Sequence, residues 1–187
     1  RSDIERPNNH IIYVGRLKKY KGLDLLIRSM REVRKKRDVI LHVVGRGNYE
    51  GALKRLVRGL GLEEVVKLHG YVDEIEKVRL LKSASLFVCF SVDEGGWTIA
   101  ALEALACGTP VLVNSSQVDI VHGGRVGILV DSNNPVEVAE SIIKALDDHD
   151  SWRRMSSEAV RIASRYTWER TAVDTLRALR YAIDAYC

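Results

Sequence analysis

The chain has 187 residues, 46% of them hydrophobic, which is enough to bury one sizeable core and is most simply a single domain over 1–187. Its formal net charge of +4 and pI near 9.0 suit a small anionic ligand but are too weak and too dispersed for a nucleic-acid partner. No apolar run is long enough to span a membrane, and three cysteines (Cys89, Cys107, Cys187) in apolar or terminal positions read as reduced thiols of a cytosolic protein.

The chain opens without Met on a polar lead that looks cut from something longer. His10-Ile-Ile-Tyr-Val-Gly15 reads as a strand, and Lys21-Gly22 introduces a helix from about Leu23 to Arg37. Val39–Val44 is a second strand, ending in Gly45-Arg-Gly47 and followed by a helix from Tyr49 to Gly59. Val65–His69 is a third, and Gly70-Tyr-Val leads into a helix from Asp73 to Ser83. The apolar, aromatic run Ser85–Phe90 is a buried fourth strand. After it come Asp93-Glu94-Gly95-Gly96 and an Ala/Leu-rich helix from about Trp97 to Cys107, which Gly108 ends. Val111–Val113 and Gly127–Val130 are strands five and six, separated by a Gly-rich passage at His122-Gly-Gly124. Asn134-Pro-Val-Glu137 starts another helix with a cap, a first-turn Pro and a Glu three residues on. The tail from Asp150 carries two helices divided near Tyr166-Thr-Trp168, with no strand between them.

Strands alternating with helices predict an α/β fold: a doubly wound parallel sheet of about six strands with extra C-terminal helices. Ligands of such sheets sit outside the carboxyl ends of the strands. Gly15-Arg16, Gly45-Arg-Gly47, Gly70-Tyr-Val72 and Asp93 to Trp97 all fall there. Arg16, with Lys18, Lys19 and Lys21 close behind, offers the planar fork and mobile point charges that suit a diphosphate, although a solvated basic loop gives the same pattern. The Gly-Gly turn feeds a helix N-terminus, where unpaired N–H groups favour an anion. Glu103 shares a helix face with Ile99 and Cys107, and either ligand hydroxyls or a nearby Arg could partner it. Gly45-Arg-Gly47 alone reads as a tight turn with close backbone approach. Arg28, Arg31, Arg34, Lys35 and Arg37 form a basic stripe, read as a solvated outer face with an anionic surface as the alternative. The five histidines show no metal-ligand spacing, so no metal is expected.

As a set, Val14-Gly-Arg-Leu17 with Lys21-Gly22, Val44-Gly-Arg-Gly47, His69-Gly-Tyr-Val72, Glu94-Gly, Leu102-Glu-Ala-Leu-Ala-Cys-Gly-Thr-Pro-Val111, Gly127–Val130 and Tyr166-Thr-Trp-Glu169 resemble the C-terminal, donor-binding half of a GT-B glycosyltransferase of family 4, a retaining group. The resemblance covers nearly the whole chain. It implies a Rossmann-like half of a GT-B fold that binds a nucleotide-sugar donor (UDP-, GDP- or ADP-sugar) for transfer to an acceptor. It assigns Arg16 and Lys21 to the donor diphosphate, with Gly15, Gly45 and Gly47 around it, and Tyr71 and Val72 to the base. Glu103 falls to the ribose, the backbone of Thr98 and Ile99 to the phosphates, and Glu94 to the donor sugar beside Gly95, Gly96 and Trp97. Eight residues separate Glu94 from Glu103, one more than the family's usual gap, which puts Gly95 where the first Glu is expected. The resemblance further implies no cofactor, a missing N-terminal acceptor-binding domain, and a last helix (167–187) that packs on it, leaving the isolated fragment inactive. It also implies a cytoplasmic protein, with peripheral contact at the membrane face as an alternative. The rival readings are a related GT-B enzyme such as a 2-epimerase, and a non-catalytic doubly wound nucleotide-binding domain.

Overall fold

A computed structural model describes residues 9–91, 98–121, 123–131 and 133–186. A six-stranded parallel sheet forms the centre: β1 (His10–Val14), β2 (Ile40–Val44), β3 (Val66–Gly70), β4 (Leu86–Cys89), β5 (Val111–Val113) and β6 (Gly127–Leu129). Their spatial order is β3-β2-β1-β4-β5-β6, so the direction of winding reverses between β1 and β4. That reversal opens a crevice at the carboxyl edge, the place where such sheets receive ligands.

The connecting helices are α1 (Leu23–Val33), α2 (Glu50–Gly59), α3 (Glu74–Ser83), α4 (Ile99–Ala106) and α5 (Pro135–Asp147), followed by α6 (His149–Ala163) and α7 (Trp168–Tyr186). Alternate residues of each strand enter different cores. Ile11, Tyr13, Leu41 and Val43 pack under α1, α2 and α5, whereas Ile12, Val44, Phe87 and Cys89 pack with α3, α4 and α6. β4 is buried along its whole length, as its unbroken apolar run predicts for a central parallel strand. Trp152 of α6 is buried and donates its indole N–H to the Ser85 carbonyl at 2.6 Å, which fixes α6 beneath the start of β4. Asn134 caps α5 by accepting from the Val136 N–H at 3.0 Å, with Pro135 in the first turn, as the sequence pattern predicts.

Two elements differ from the sequence expectation. α1 ends at Val33 instead of running to Arg37, and a turn follows in which the Lys36 and Arg37 N–H groups both donate to the Val33 carbonyl. Arg34 donates to the Gly61 carbonyl at 2.6 Å, and Arg37 pairs with Asp147 and Asn9. Part of the predicted basic stripe is therefore tied into the structure. The stretch before the Gly-rich passage also forms a short 3-10 helix at Ser115–Val121, which no apolar periodicity announced. α7 is exposed along its described length, and Trp168, Val173, Leu176, Leu179 and Ile183 all face solvent.

Candidate functional site

Three strand ends are laced together at the carboxyl edge. The Gly15 N–H donates to the Val44 carbonyl at 3.0 Å, the Leu17 N–H to the Arg46 carbonyl at 2.9 Å, and the Gly45 N–H to the Gly70 carbonyl at 2.7 Å. The ladder thus continues past β1, β2 and β3 into their loops, which stiffens them as a platform. The glycines permit it. A Cβ on Gly45 would lie 1.9 Å from the Gly15 carbonyl oxygen, and one on Gly47 would lie 2.1 Å from the Leu17 carbonyl oxygen. The close backbone approach read from Gly45-Arg-Gly47 is therefore present.

Arg16 stands exposed on this platform. Its backbone carbonyl accepts from the Tyr13 hydroxyl at 2.9 Å, and its guanidinium donates to the Tyr20 hydroxyl at 3.3 Å. Lys21 lies in the short 3-10 turn that follows and is buried, with its ammonium 5.3 Å from the centre of the Tyr20 ring. Gly22 then takes a left-handed conformation against Phe90 at the end of β4, where a Cβ would meet the Phe90 carbonyl oxygen at 2.4 Å. The Arg16–Lys21 loop is thereby anchored across the β1–β4 crevice. Beside it, a cavity of about 320 Å³ includes Lys19, Asp24, Arg28, Phe90 and Asn114 in its lining.

The remaining candidates lie at the ends of β3 and α4. Tyr71 is exposed, with the Arg46 guanidinium 5.7 Å from its ring centre, and Val72 packs against the α3–α4 core. Thr98 caps α4 by accepting from the Ala101 N–H at 3.1 Å, which satisfies one of the first-turn N–H groups of the helix. Ile99 is exposed at that end. One turn deeper, Glu103 Oε1 accepts from Lys77 Nζ at 2.8 Å, and the same ammonium reaches Glu74 Oε2 at 2.8 Å. Burial alone would lower the pKa of Lys77, but the two carboxylates outweigh it and hold the ammonium above its usual range. Glu103 does have an ion-pair partner, a lysine from α3 where the sequence suggested an arginine.

The segments that follow β1, β2, β3 and β4 thus carry Gly15, Arg16, Lys21, Gly45, Gly47, Tyr71, Val72, Thr98 and Ile99, and Glu103 lies farther along α4 against Lys77 of α3. Glu94, Gly95, Gly96 and Trp97 lie outside the described residues. Arg46 and Lys77 are additions that the sequence did not single out. Arg46 follows a glycine already noted, but Lys77 depends on the packing of α3 against α4.

A second cluster was invisible in the sequence because its members come from three strands. His10, His42 and His69 lie side by side on one sheet face, with successive ring centres 4.9 and 5.0 Å apart. His42 Nδ1 is 2.8 Å from His69 Nε2, a contact between neutral imidazoles in which one ring donates. Burial, then the charges of His10, His69 and Arg79, push the pKa of His42 down to about 4. Among the described residues no group of His, Cys, Asp and Glu is arranged to hold a metal ion. Cys89 is buried and Cys107 partly so, and burial raises the pKa of the Cys107 thiol.

A sequence profile of glycosyl transferases group 1 matches residues 1–161. The chain is 32% identical over 184 residues to a D-inositol 3-phosphate glycosyltransferase of an Arthrobacter species, covering 95% of this chain and 44% of that protein. It is also 32% identical to an uncharacterized glycosyltransferase of Methanocaldococcus jannaschii, covering 97% of this chain and 47% of the relative. The chain thus spans about half the length of the curated relatives it matches. Among solved structures, Anabaena Alr3699/HepE in complex with UDP-glucose superposes with a TM-score of 0.80 at 25% identity, over 91% of this chain and 49% of that one. The catalytic domain of the cholesterol-alpha-glucosyltransferase from Helicobacter pylori superposes with a TM-score of 0.72 at 26% identity, over 86% of this chain and all of that one. No described helix is long and apolar enough to cross a membrane. With a profile that takes in most of its length and a sheet of the same architecture as these enzymes, the chain belongs to the glycosyl transferases group 1 family.

Proposed function

We propose that this chain is the donor-binding, C-terminal domain of a family 4 retaining glycosyltransferase, and that it binds a nucleoside diphosphate sugar across the carboxyl edge of its sheet. One observation carries the reading. Arg16 follows the end of β1, and the Thr98-capped helix α4, which carries Glu103, follows β4, and these are the two strands between which the winding reverses. The Anabaena relative, bound to UDP-glucose on the same fold, supports it.

In this reading the base lies by Tyr71 and Val72, the ribose hydroxyls donate to Glu103, and the diphosphate lies between Arg16, Lys21 and the Thr98–Ile99 backbone. Transfer breaks the bond between the sugar C1 and the β-phosphate oxygen, and the nucleoside diphosphate leaves with the electron pair. A new bond forms from C1 to an acceptor oxygen, whose proton passes to the departing diphosphate. Fixed cations and helix N–H groups stabilise the charge gathering on the leaving diphosphate, so the reading includes neither a metal nor a cofactor. The sugar falls to Glu94 and the glycines after it.

The chain spans about half of its relatives, and the reading assigns acceptor binding to an N-terminal domain that docks on the apolar stripe of α7. The same reading places the enzyme in the cytoplasm, with contact at the membrane face as the alternative. A thermal-shift panel of UDP, GDP, ADP and their sugars tests the function, since a ligand of the folded state raises its melting temperature by mass action. One nucleoside diphosphate and its sugar should stabilise the chain, without transfer of sugar to added acceptors. No shift with any of them would reject the reading.

A further inference from the structure

We infer that Lys77 is a positioning residue that sets the selectivity of this site for ribonucleotides over deoxyribonucleotides, by holding the Glu103 carboxylate in one orientation with one oxygen left for the ligand. The inference rests on the nucleotide-binding reading above and adds to it a residue and a preference.

The observations come from two helices. Asp73 caps α3 by accepting from the Glu76 N–H at 2.8 Å, and Lys77 sits one turn beyond that cap. Glu103 sits one turn beyond Ile99, the first residue of α4 after the Thr98 cap. The residues just before the α3 cap are Tyr71 and Val72, on the proposed base side. The Lys77–Glu103 pair therefore ties the base-side loop to the phosphate-side helix terminus, each through a single helical turn.

The chemistry of the pair leaves work for a ligand. A lysine ammonium is a point donor, not a fork, and here it engages only Oε1 of Glu103. Its second carboxylate is Glu74, whose side chain is 79% exposed, whereas the Lys77 and Glu103 side chains are 14% and 34% exposed. Glu74 steadies the ammonium from the solvent side, and Glu103 is held from within. A carboxylate has acceptor capacity for several donors, so Oε2 stays open to a hydroxyl. A ribose can donate two hydrogen bonds from adjacent hydroxyls to a carboxylate fixed in that attitude. A 2′-deoxyribose can donate only one. Without Lys77 the glutamate could turn to solvent, and the second hydroxyl would lose its advantage. An arginine at the same place would compete for both carboxylate oxygens, so the point charge itself matters.

The test uses UDP and 2′-deoxy-UDP as probes, with dissociation constants measured by calorimetry on this chain and its variants. The unsubstituted chain should bind UDP about tenfold more tightly than 2′-deoxy-UDP. Lys77→Met keeps the aliphatic stem and removes the ammonium. It should weaken UDP binding by about tenfold, leave 2′-deoxy-UDP nearly unchanged, and bring the ratio toward one. Lys77→Gln, which keeps a donor for Glu103, should recover part of the ratio and guards against a Met variant that folds poorly. Ligand-free melting of each variant separates a purely structural effect, because lost stability alone lowers both affinities and preserves the ratio. An unchanged ratio in both folded variants would overturn the role of Lys77 while leaving nucleotide binding intact. Absence of binding to UDP, GDP and ADP by the unsubstituted chain would overturn the underlying reading as well.

Discussion

The backbone of Gly15 occupies the space where Gly45 would carry a side chain: a Cβ there would sit 1.9 Å from the Gly15 carbonyl oxygen. Gly45 also holds φ at +133°, a conformation that L residues rarely adopt. The two loops that end β1 and β2 are thus packed backbone to backbone, and the position of Arg16 depends on that contact.

Gly45→Ala should therefore cost on the order of 2–4 kcal/mol, combining steric overlap with a strained dihedral. It should also weaken nucleotide binding by displacing the Arg16 loop. Urea unfolding gives the stability change. Gly59→Ala is the matched control, since nothing lies within 4 Å of its Cβ and it sits in the last turn of α2. There alanine should stabilise by about 0.5–1 kcal/mol.

Arg16 and Lys21 should behave differently although both are assigned to the diphosphate. Arg16 is exposed, so Arg16→Ala should cost about 1.5–3 kcal/mol in nucleoside diphosphate affinity with little change in melting temperature. Lys21 is 8% exposed, so Lys21→Ala should lower both. Calorimetry with uridine and UDP separates the phosphate contribution. Equal losses for the two ligands would remove both residues from a diphosphate clamp.

The histidine ladder predicts acid sensitivity. His42 has a folded-state pKa of about 4 against an ordinary value of 6.5, and His69 is shifted the same way, with burial the main cause for both. A depressed folded pKa means that the unfolded chain takes up the proton first. The associated stability is present above pH 6.5 and drains away as the pH falls toward 4. His10, Glu76 and Arg79 bear on His42 as well, and only Glu76 favours its protonation. For this half-buried ring the loss should be about 1–2 kcal/mol once solvent screening is allowed for. His42→Gln should flatten the melting-temperature profile between those pH values, and an unchanged profile would contradict the assignment.

Glu94 is tested by comparing UDP-glucose with UDP. With Glu94 assigned to the donor sugar despite the extra residue before Glu103, Glu94→Ala should weaken only the sugar-bearing ligand. Equal losses, or none, would mean that Glu94 is not the sugar-facing carboxylate.

Much of this was legible in the sequence because it is local. Apolar runs of strand length, glycines at strand ends and the Asn134-Pro135 helix start each report on a few neighbouring residues, and the parallel sheet follows from their alternation. Arg16 and Glu103 could be picked out because a motif places them beside a strand end or on a helix face. Lys77 could not, since its pairing with Glu103 spans 26 residues and needs α3 laid against α4. The same holds for His10, His42 and His69, which meet only when β1, β2 and β3 line up in register. The pairing of Arg37 with Asp147, 110 residues away, was hidden for a related reason.

The central claim is that a nucleoside diphosphate binds at the carboxyl edge of the sheet. Amide chemical-shift mapping on the isotope-labelled chain, titrated in turn with UDP, GDP and ADP, tests it most directly. The account predicts saturable shifts for one of them at Gly15, Arg16, Gly45, Tyr71, Val72, Thr98 and Ile99, abolished at the same ligand concentration by Arg16→Ala. Shifts confined to other surfaces, such as the α6–α7 elbow around Arg165 and Arg170, or no shifts with any of the three, would contradict it.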